Sequence, residues 1–511
     1  METTQVLICG AGPTGLVLGI ELARRGVPCR VVEARGAVSP LSRGKGLQPR
    51  TQEVFEDIGV LAAVRAAGCD YPVIRGYSGH EVVWEGRMAD LSAPTPDIPY
   101  PNAWMIPQWR TERILRDRLA ALGGSVQDAT ELTGFITDDD GVTATLTTPS
   151  GVRQVRARYL VGADGGHSTV RRTLGVGFTG ETRESDRVLF GDLRVDGLDR
   201  EYWHMWSTTP DRSDMLGLCP LPGTDTYQLA AADPGDGFEP DLAGLQALIT
   251  ERTRREDIRL REITAVSRYR ANMRMAERFR AGPVFLAGDA AHVHSPAGGQ
   301  GLNTSVQDSY NLGWKLAAVL AGADESLLDT YEAERMPVAA GVLEISTGLH
   351  RQMSTDGGPM KRGRETQQLD IGYAGGPLAP QHDGGGVLCA GDRAPDAPGL
   401  RRPDGTAVRL FDLFRGPHLT LLAFGPHLAA AATELTAPYG PAVRTVPVLH
   451  TGEPPTAAGP TAVVDGQGHA AKAYGIGAEA LVLIRPDGYV GTISTDVADI
   501  AAYLPQVTAP C

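Results

Sequence analysis

The sequence predicts an α/β protein with an α+β insert: a parallel, helix-covered sheet interrupted by a second sheet and followed by a smaller α/β unit. Three observations predict it. First, the apolar run Val6-Leu7-Ile8-Cys9 opens into Gly10-x-Gly12-x-x-Gly15, a helix follows, and a second apolar run, 29–32, ends in Glu33, 18 residues after Gly15. Second, two further apolar runs end in Asp-Gly or Gly-Asp turns, at Asp164-Gly165 and Gly288-Asp289. Third, residues 181–275, between those two turns, alternate in short apolar and polar steps with one helical stretch near 240–253. That pattern reads as a domain inserted into the first one.

The remaining elements follow in order. Residues 6–33 form a strand–helix–strand unit. Residues 51–67 read as one helix, with Val54, Phe55, Ile58, Leu61 and Val64 on one face. Residues 70–105, rich in Pro and aromatics, read as loops and strands, and 111–122 as an amphipathic helix. Residues 142–146 and 153–160 read as paired strands around Pro149-Ser150-Gly151. Helices are expected at 302–321 and 328–347. Residues 351–398 are dense in Gly, Pro and polar residues and read as a linker or surface wrap. Short apolar runs return at 419–424 and 480–484, with a turn at Arg485-Pro486-Asp487-Gly488, which reads as a separate small α/β domain.

The bulk numbers exclude several function classes. A chain of 511 residues builds two or three domains. Its net charge of −13 argues against nucleic-acid or anionic-membrane partners, which need a basic footprint. The six cysteines, at 9, 29, 69, 219, 389 and 511, form no Cys-x-x-Cys pair, and no His cluster has metal-ligand spacing. Free thiols in a reducing compartment account for them. No basic-then-apolar leader opens the chain, and no apolar run approaches the ~20 residues of a bilayer span, so a soluble, cytoplasmic protein is expected.

The motifs carry the chemistry. Gly10 permits a tight turn, Gly12 lets backbone approach a pyrophosphate, and Gly15 lets helix pack on strand. Pro13 and Thr14 open the helix, whose free N–H groups and partial positive charge suit phosphate. Glu33 is placed to accept hydrogen bonds from a ribose. This fingerprint is shared by NAD and FAD sites. The stretch Ala163-Asp164-Gly165-Gly166-His167-Ser168 is a capped strand-to-helix turn in which Asp164 reaches backbone N–H groups. The stretch Gly288-Asp289 presents an acid at the carboxyl end of a strand, and Pro296 then precedes Gly298-Gly299-Gln300-Gly301-Leu302-Asn303 at the start of a long helix. Such a helix start stabilises the negative charge of a reduced flavin, and a nicotinamide has no comparable anion.

With these three motifs in this order over about residues 4–345, the chain resembles the class A flavoprotein monooxygenases, the aromatic hydroxylase family. The segments 296–305 and Asn311-Leu312-Gly313-Trp314-Lys315-Leu316 resemble the actinobacterial polyketide-tailoring members. The tail, with Gly391-Asp392-Arg393-Ala394-Pro395-Asp396 and 483–488, is similar to their thioredoxin-like C-terminal domain, here without a Cys-x-x-Cys and so implying a structural or oligomerisation role.

The resemblance implies a Rossmann-like FAD-binding domain in three pieces, 1–75, 101–180 and 276–348. It implies a substrate domain of 76–100 and 181–275, a linker at 349–398 and a thioredoxin-like domain at 399–511. It implies FAD held by Gly10, Gly12, Pro13, Thr14, Gly15, Glu33, Arg43, Gln108, Asp164, Gly288, Asp289, Pro296, Gly299, Gly301, Leu302 and Asn303. Pro296 and Gly299 would lie on the flavin C4a side. Arg171 belongs with Asp164, and His292 is expected to be a buried histidine bonded to backbone rather than a catalytic acid. NADPH or NADH would be a visiting co-substrate, and one oxygen atom of O₂ would pass through a flavin C4a-(hydro)peroxide to a phenolic, polyketide-type aromatic. A monomer or homodimer is implied.

For the substrate, the aromatic run 202–206 singles out Tyr202, His204 and Trp206 on one side of a strand, with Trp84, Trp104 and Met105 elsewhere. An ordinary sheet face packing on a core would look the same. A Baeyer–Villiger or ring-rearranging enzyme, an antibiotic-inactivating hydroxylase and a non-turnover flavin sensor share the cofactor motifs. A flavin halogenase would carry Gly-Trp-x-Trp-x-Ile-Pro, and the chain has only Trp203-His204-Met205-Trp206.

Overall fold

A computed structural model describes residues 1–39, 41–42, 44–209, 213–355, 361–379, 388–450 and 460–510. Its first sheet is built on the opening strand, Glu2–Cys9. That strand pairs in parallel with Cys29–Val32 on one side and Gly151–Gly162 on the other, and Val284–Leu286 continues the sheet in parallel. Where these strands run side by side toward the motif turns they are apolar and buried, at Val6–Cys9, Val31–Val32, Tyr159–Val161 and Val284–Leu286, as a sheet covered on both faces requires. Register decides what happens next. Cys9 lies opposite Gly162, and Gly162 opposite Leu286. The three motif turns therefore leave the sheet side by side. The backbone continues the ladder into them: Gly10 N donates to Val32 O, Ala163 N to Cys9 O and Ala287 N to Gly162 O, at 2.8 to 2.9 Å. The helix Pro13–Ala23 packs on the helix Gly301–Leu320, so the third motif's helix covers the first motif's.

A second sheet has eight strands in the order His292–Val293, Arg259–Ala276, Phe178–Asp196, Tyr227–Ala232, Leu216–Pro220, Tyr202–Trp206, Val73–Ser78 and Glu81–Gly86. The expected domain boundaries at 75 and 180 fall inside the strands Val73–Ser78 and Phe178–Asp196, and His292–Val293 joins this sheet directly after the third motif. One face is covered by the helix Leu242–Thr253, whose Leu245, Leu248 and Ile249 pack with Tyr77, Trp206, Leu218 and Leu229. A short ribbon of Gly46–Leu47, Trp104–Met105 and Cys69–Asp70 lies between the two sheets' motifs.

The third sheet, residues 400–494, is mixed, with Leu419–Phe424 parallel to Val443–His450 on one side and antiparallel to Ala480–Ile484 on the other. Alternation along its strands splits its core. Leu422, Phe424, Val482 and Ile484 face one cluster, whereas Leu421, Ala423, Leu481 and Leu483 join the cluster that contains the first sheet's strands. This unit is therefore not separate in its packing.

Two further expectations change. The single helix at 51–67 is two, Pro49–Asp57 and Leu61–Ala67, because Gly59 sits at φ +81° and turns the chain. The expected linker begins inside the helix Asp329–Thr355, and 361–379 is packed: Gln300 Nε2 donates to Thr366 O at 2.9 Å and Gln307 Nε2 to Gln368 Oε1 at 2.6 Å.

Candidate functional site

The three glycines of the first motif have different physical reasons. Gly10 has φ +106°, and a Cβ there would collide with the Ala163 carbonyl; a Cβ on Gly15 would collide with the Gly10 carbonyl. Both are demanded by the protein's own packing. Gly12 has φ −73°, and nothing lies within 4 Å of where its Cβ would be. Gly301, the first residue of the long helix, has the same open space. The fold gives neither residue a steric reason to be glycine. Space kept open beside two helix starts fits a bound pyrophosphate group.

The acids around this space are fixed by backbone. Glu33 is 6% exposed; Oε2 accepts from Ala11 N at 2.9 Å and Oε1 from Arg35 N at 3.0 Å. Burial opposes its charge, but these bonds and the Arg35 guanidinium hold the carboxyl below its usual range. A carboxylate has room for further donors, such as ribose hydroxyls. Asp164 Oδ2 accepts from Thr169 N at 2.7 Å and Val170 N at 3.1 Å, capping the helix Thr169–Thr173. Its Oδ1 is buried with no hydrogen-bond partner among the described residues, an acceptor that a ligand hydroxyl would satisfy. Arg171 ties the second motif to the third, donating to Gly166 O and Ala290 O, both at 2.7 Å.

In the third motif Gly288 has φ +62° and a Cβ there would press on Thr14, while Asp289 is exposed. Asp308, on the long helix, anchors the turn. Its Oδ2 accepts from Gly288 N at 3.0 Å and from His292 Nε2 at 2.6 Å, and its Oδ1 accepts from Arg335 Nε at 2.8 Å. Burial opposes its charge, but His292 and Arg335 hold it down to about 2. His292 is fully buried, as expected, yet it is bonded to the side chains of Asp308 and His294 rather than to backbone. The reason is the two-residue spacing, which puts His292 and His294 on one side of an extended stretch.

Pro296 opens a short turn, Pro296–Gly298, and Gly299 ends it at φ +61°. No side chain caps the helix Gly301–Leu320, and its first turn holds no acid, leaving N–H groups for an anion. Asn303 is fully buried. Its Oδ1 accepts from Gln48 N at 2.7 Å and its Nδ2 donates to Gly46 O and Gly299 O at 2.9 Å, so it pins the strand Gly46–Leu47 to this loop. Leu302 packs against Gly44, and Gln108 Oε1 accepts from Gly44 N at 2.9 Å while its Nε2 bonds Glu112. Arg43 lies outside the described residues.

The substrate candidates need correction. Tyr202, His204 and Trp206 share the sheet face that the helix Leu242–Thr253 covers. His204 Nδ1 bonds Tyr77 Oη at 2.8 Å, Trp206 Nε1 donates to Gly79 O at 3.1 Å, and Tyr202 lies under the Arg75 guanidinium at 3.3 Å. Trp84 stands at the exposed edge strand opposite Gly76, and Trp104 turns to Val64 O and Arg65. The opposite face is the one turned to the cofactor motifs. Register puts Trp203, Cys219, Gln228 and Asp192 in one row across four strands. Ser42 and Lys45 lie over that row. Lys45 Nζ sits 3.9 Å above the Trp203 ring and donates to Gln228 Oε1 at 2.6 Å, Ser42 N donates to Asp192 Oδ2 at 3.1 Å, and Gln228 Nε2 donates to Ser42 O. Met105 joins Trp203 and Cys219 in a small apolar cluster there.

Sequence reasoning missed Lys45, Asp192, Gln228 and Arg362. Arg362 donates to Ala297 O at 2.8 and 3.1 Å and lies where a Cβ on Gly299 would be. For Asp192 and Gln228 the usable signal was strand parity, since Trp203 and Met205 alternate with the three aromatics chosen; Lys45, outside any strand, had no such signal. Among the described residues there is no cluster fit for a metal and no helix long and apolar enough to cross a membrane.

This geometry has counterparts. The family model for an FAD binding domain matches residues 3–346. A flavin-dependent monooxygenase of Mycobacteroides abscessus is 46% identical over 509 residues, covering 98% of this chain and 99% of that protein. A 6-methylpretetramide 4-monooxygenase of Streptomyces rimosus is 36% identical, covering 99% and 95%. The crystal structure of aklavinone-11 hydroxylase with FAD and aklavinone superposes with a TM-score of 0.82 at 30% identity, covering 99% of each chain. The chain belongs to the FAD-binding-domain family of flavin-dependent monooxygenases.

Proposed function

We propose that this enzyme uses NADPH or NADH and O₂ to place one oxygen atom on a polycyclic phenolic or quinonoid aromatic of polyketide type. The observation that carries the reading is the layering of Ser42 and Lys45 on Trp203, Gln228 and Asp192, next to Gly46 and Gln48, which Asn303 pins to the cofactor helix start. The relatives named for 6-methylpretetramide, anhydrotetracycline and aklavinone support the substrate class. Bound FAD supplies the redox chemistry and oxygen activation. The chain's residues position and shield. Gly12 and Pro13 would leave room for the pyrophosphate, Glu33 would hold the ribose end, and Asp289 and 296–303 would hold the ribityl and flavin end. Trp203, Cys219 and Met105 would keep water from the reacting carbon. The tail, 399–511, takes a structural, thioredoxin-like role.

The test is product analysis under ¹⁸O₂. Purified yellow protein with NADPH or NADH and a panel of phenolic polyketide aromatics should yield one ¹⁸O on an aromatic carbon. Label in a lactone ring would assign Baeyer–Villiger chemistry instead. Yellow protein that never oxidises NADPH or NADH with any of the panel would leave flavin binding without turnover.

A further inference from the structure

The helix Pro49–Asp57 is short, and Val54 and Phe55 are its only large apolar side chains apart from Pro49. Yet Arg50, Thr51, Gln52 and Glu53 are all buried, at 5% exposure or less. A nine-residue helix is marginal alone, so groups outside it must hold it. The C-terminal unit supplies them. Arg50 Nη2 donates to Asp487 O at 2.6 Å, and its guanidinium lies 4.8 Å from the centre of the Tyr489 ring. The Glu53 carboxylate accepts from Arg50 Nη1 at 2.8 Å and from Arg393 Nε and Nη2 at 2.6 to 3.0 Å. One turn on, Glu56 accepts from Arg409 and Arg415, and Asp57 Oδ1 accepts from Gly416 N at 3.0 Å. Arg393 is itself fixed to the third sheet, since Gly391 N donates to Val490 O and Ala394 N to Gly488 O. Each turn of the helix is thus tied to residues 393–487.

The start of the same helix meets the cofactor side. Gln48, immediately before Pro49, donates its backbone N–H to Asn303 Oδ1 at 2.7 Å, and Asn303 Nδ2 donates to Gly46 O at 2.9 Å. Glu53 is five residues from Gln48, about 7.5 Å along the helix axis. Adhesion of the C-terminal unit does not need the bonds to this helix. Leu421, Ala423, Leu481 and Leu483 already pack into the larger core, and Arg485 already grips Glu334. Buried ion pairs return little net stability, because desolvation offsets their attraction, whereas a two-pronged arginine–carboxylate pair is satisfied by one geometry. Burial opposes the Glu53 charge, but Arg393 and Arg50 hold its carboxyl below the usual range, so the pair stays ionised in the fold.

We propose that the C-terminal unit is a brace for the cofactor site: Arg393, through Glu53 and Arg50, sets the position of the helix Pro49–Asp57 and so holds Gly44–Gln48 against the flavin end. Arg393 is a positioning residue and touches no reacting atom. The proposal rests on the reading under Proposed function that puts the flavin end beside Asn303. It gives a unit without a Cys-x-x-Cys pair a part in cofactor binding.

The experiment uses the full chain and follows amide hydrogen exchange over residues 44–57 at saturating FAD, alongside FAD affinity. Arg393→Met should speed exchange of the Gly44, Gln48 and Arg50 amides by about tenfold and raise the FAD dissociation constant by about fivefold. Arg393→Lys, which keeps a charged donor for Glu53, should recover most of both. Val446→Ala opens a cavity inside the unit's own apolar cluster. It should lower the melting temperature while leaving exchange over 44–57 and FAD affinity as in wild type. A role in stability alone would move Arg393→Met and Val446→Ala alike. Unchanged exchange over 44–57 in Arg393→Met, or an equal rise there in Val446→Ala, overturns the brace. Faster exchange with wild-type FAD affinity would show that the brace reaches Gly44–Gln48 and that these residues do not serve the cofactor, which overturns the placement under Proposed function and the purpose assigned here. If Arg393→Met does not fold, Arg393→Gln takes its place with the same expectation.

Discussion

Arg485, on the hairpin of the C-terminal sheet, grips Glu334 on the helix Asp329–Thr355 through both terminal nitrogens: Nη1 to Oε1 at 2.6 Å and Nη2 to Oε2 at 2.8 Å. Lys315 Nζ reaches the same carboxylate at 2.7 Å. Asp487, also held by Arg485, accepts from Asn311 Nδ2 and Trp314 Nε1 at 3.1 Å. All four charges are buried and they sum to zero. Burial works against the Glu334 charge, yet Arg485 and Lys315 hold its carboxyl far below the usual range, and burial pushes Lys315 down to about 8. The turn Arg485-Pro486-Asp487-Gly488, which the sequence shows only as a turn, is thus the plug of the FAD domain's two long helices.

Removing one member should cost more than the pair contributes, because the other charges stay buried. Arg485→Met is expected to lose about 3–5 kcal/mol of stability, read by urea unfolding followed at a tryptophan signal. A chain ending at residue 398 should fail to give a soluble FAD-binding protein, since it strips both this network and the Leu421, Leu483 and Tyr503 side of the shared core. A truncated protein that is yellow and melts at the wild-type temperature would refute the coupling.

The first motif allows a cleaner dissection. Gly12→Ala is expected to leave the apo fold intact, because its φ suits alanine and nothing occupies the space. The new methyl enters the space assigned to the pyrophosphate, so FAD affinity should fall by about tenfold or more, ~1.4 kcal/mol. Gly15→Ala collides with the Gly10 carbonyl and should lower the melting temperature even without FAD. Asp289→Ala should also weaken FAD retention through gel filtration, with the exposed side chain lost from the cofactor side. Equal FAD affinity in Gly12→Ala and wild type would remove the pyrophosphate from this position.

These contrasts show what a single sequence reveals. The three motifs were legible because each joins a strand to a turn and needs particular residue types. Their convergence was not, since it depends on the register that sets Cys9, Gly162 and Leu286 abreast. Strand 202–206 was visible, but its parity was not. The trio Tyr202, His204 and Trp206 is the more aromatic side, yet the helix Leu242–Thr253 covers it. The segment 361–379 reads as a wrap because its residues are polar. Its bonds go to Gln300, Gln307 and Ala297, partners more than 50 positions away that no local pattern announces. The C-terminal unit looked separate because its runs are short, whereas alternate residues along them join the larger core.

Asp192 carries the last prediction, a pH dependence of stability. Its side chain is buried, 2% exposed, and burial pushes the carboxyl up to about 6 against the opposing pull of Ser42 and Lys45. The model-peptide value is near 4, so between about pH 4 and 6 the folded state holds this proton more tightly than the unfolded one. Stability therefore falls as pH rises through that window, and above it the full penalty of the buried charge, on the order of 2–3 kcal/mol, is in place. Asp192→Asn removes the penalty while its carbonyl still accepts from Ser42 N. The variant should match wild type near pH 4 and gain on it steadily to pH 7, with a higher melting temperature at neutral pH. Melting curves of the two proteins that run parallel from pH 4 to 8 would show that Asp192 ionises in the fold as easily as in water.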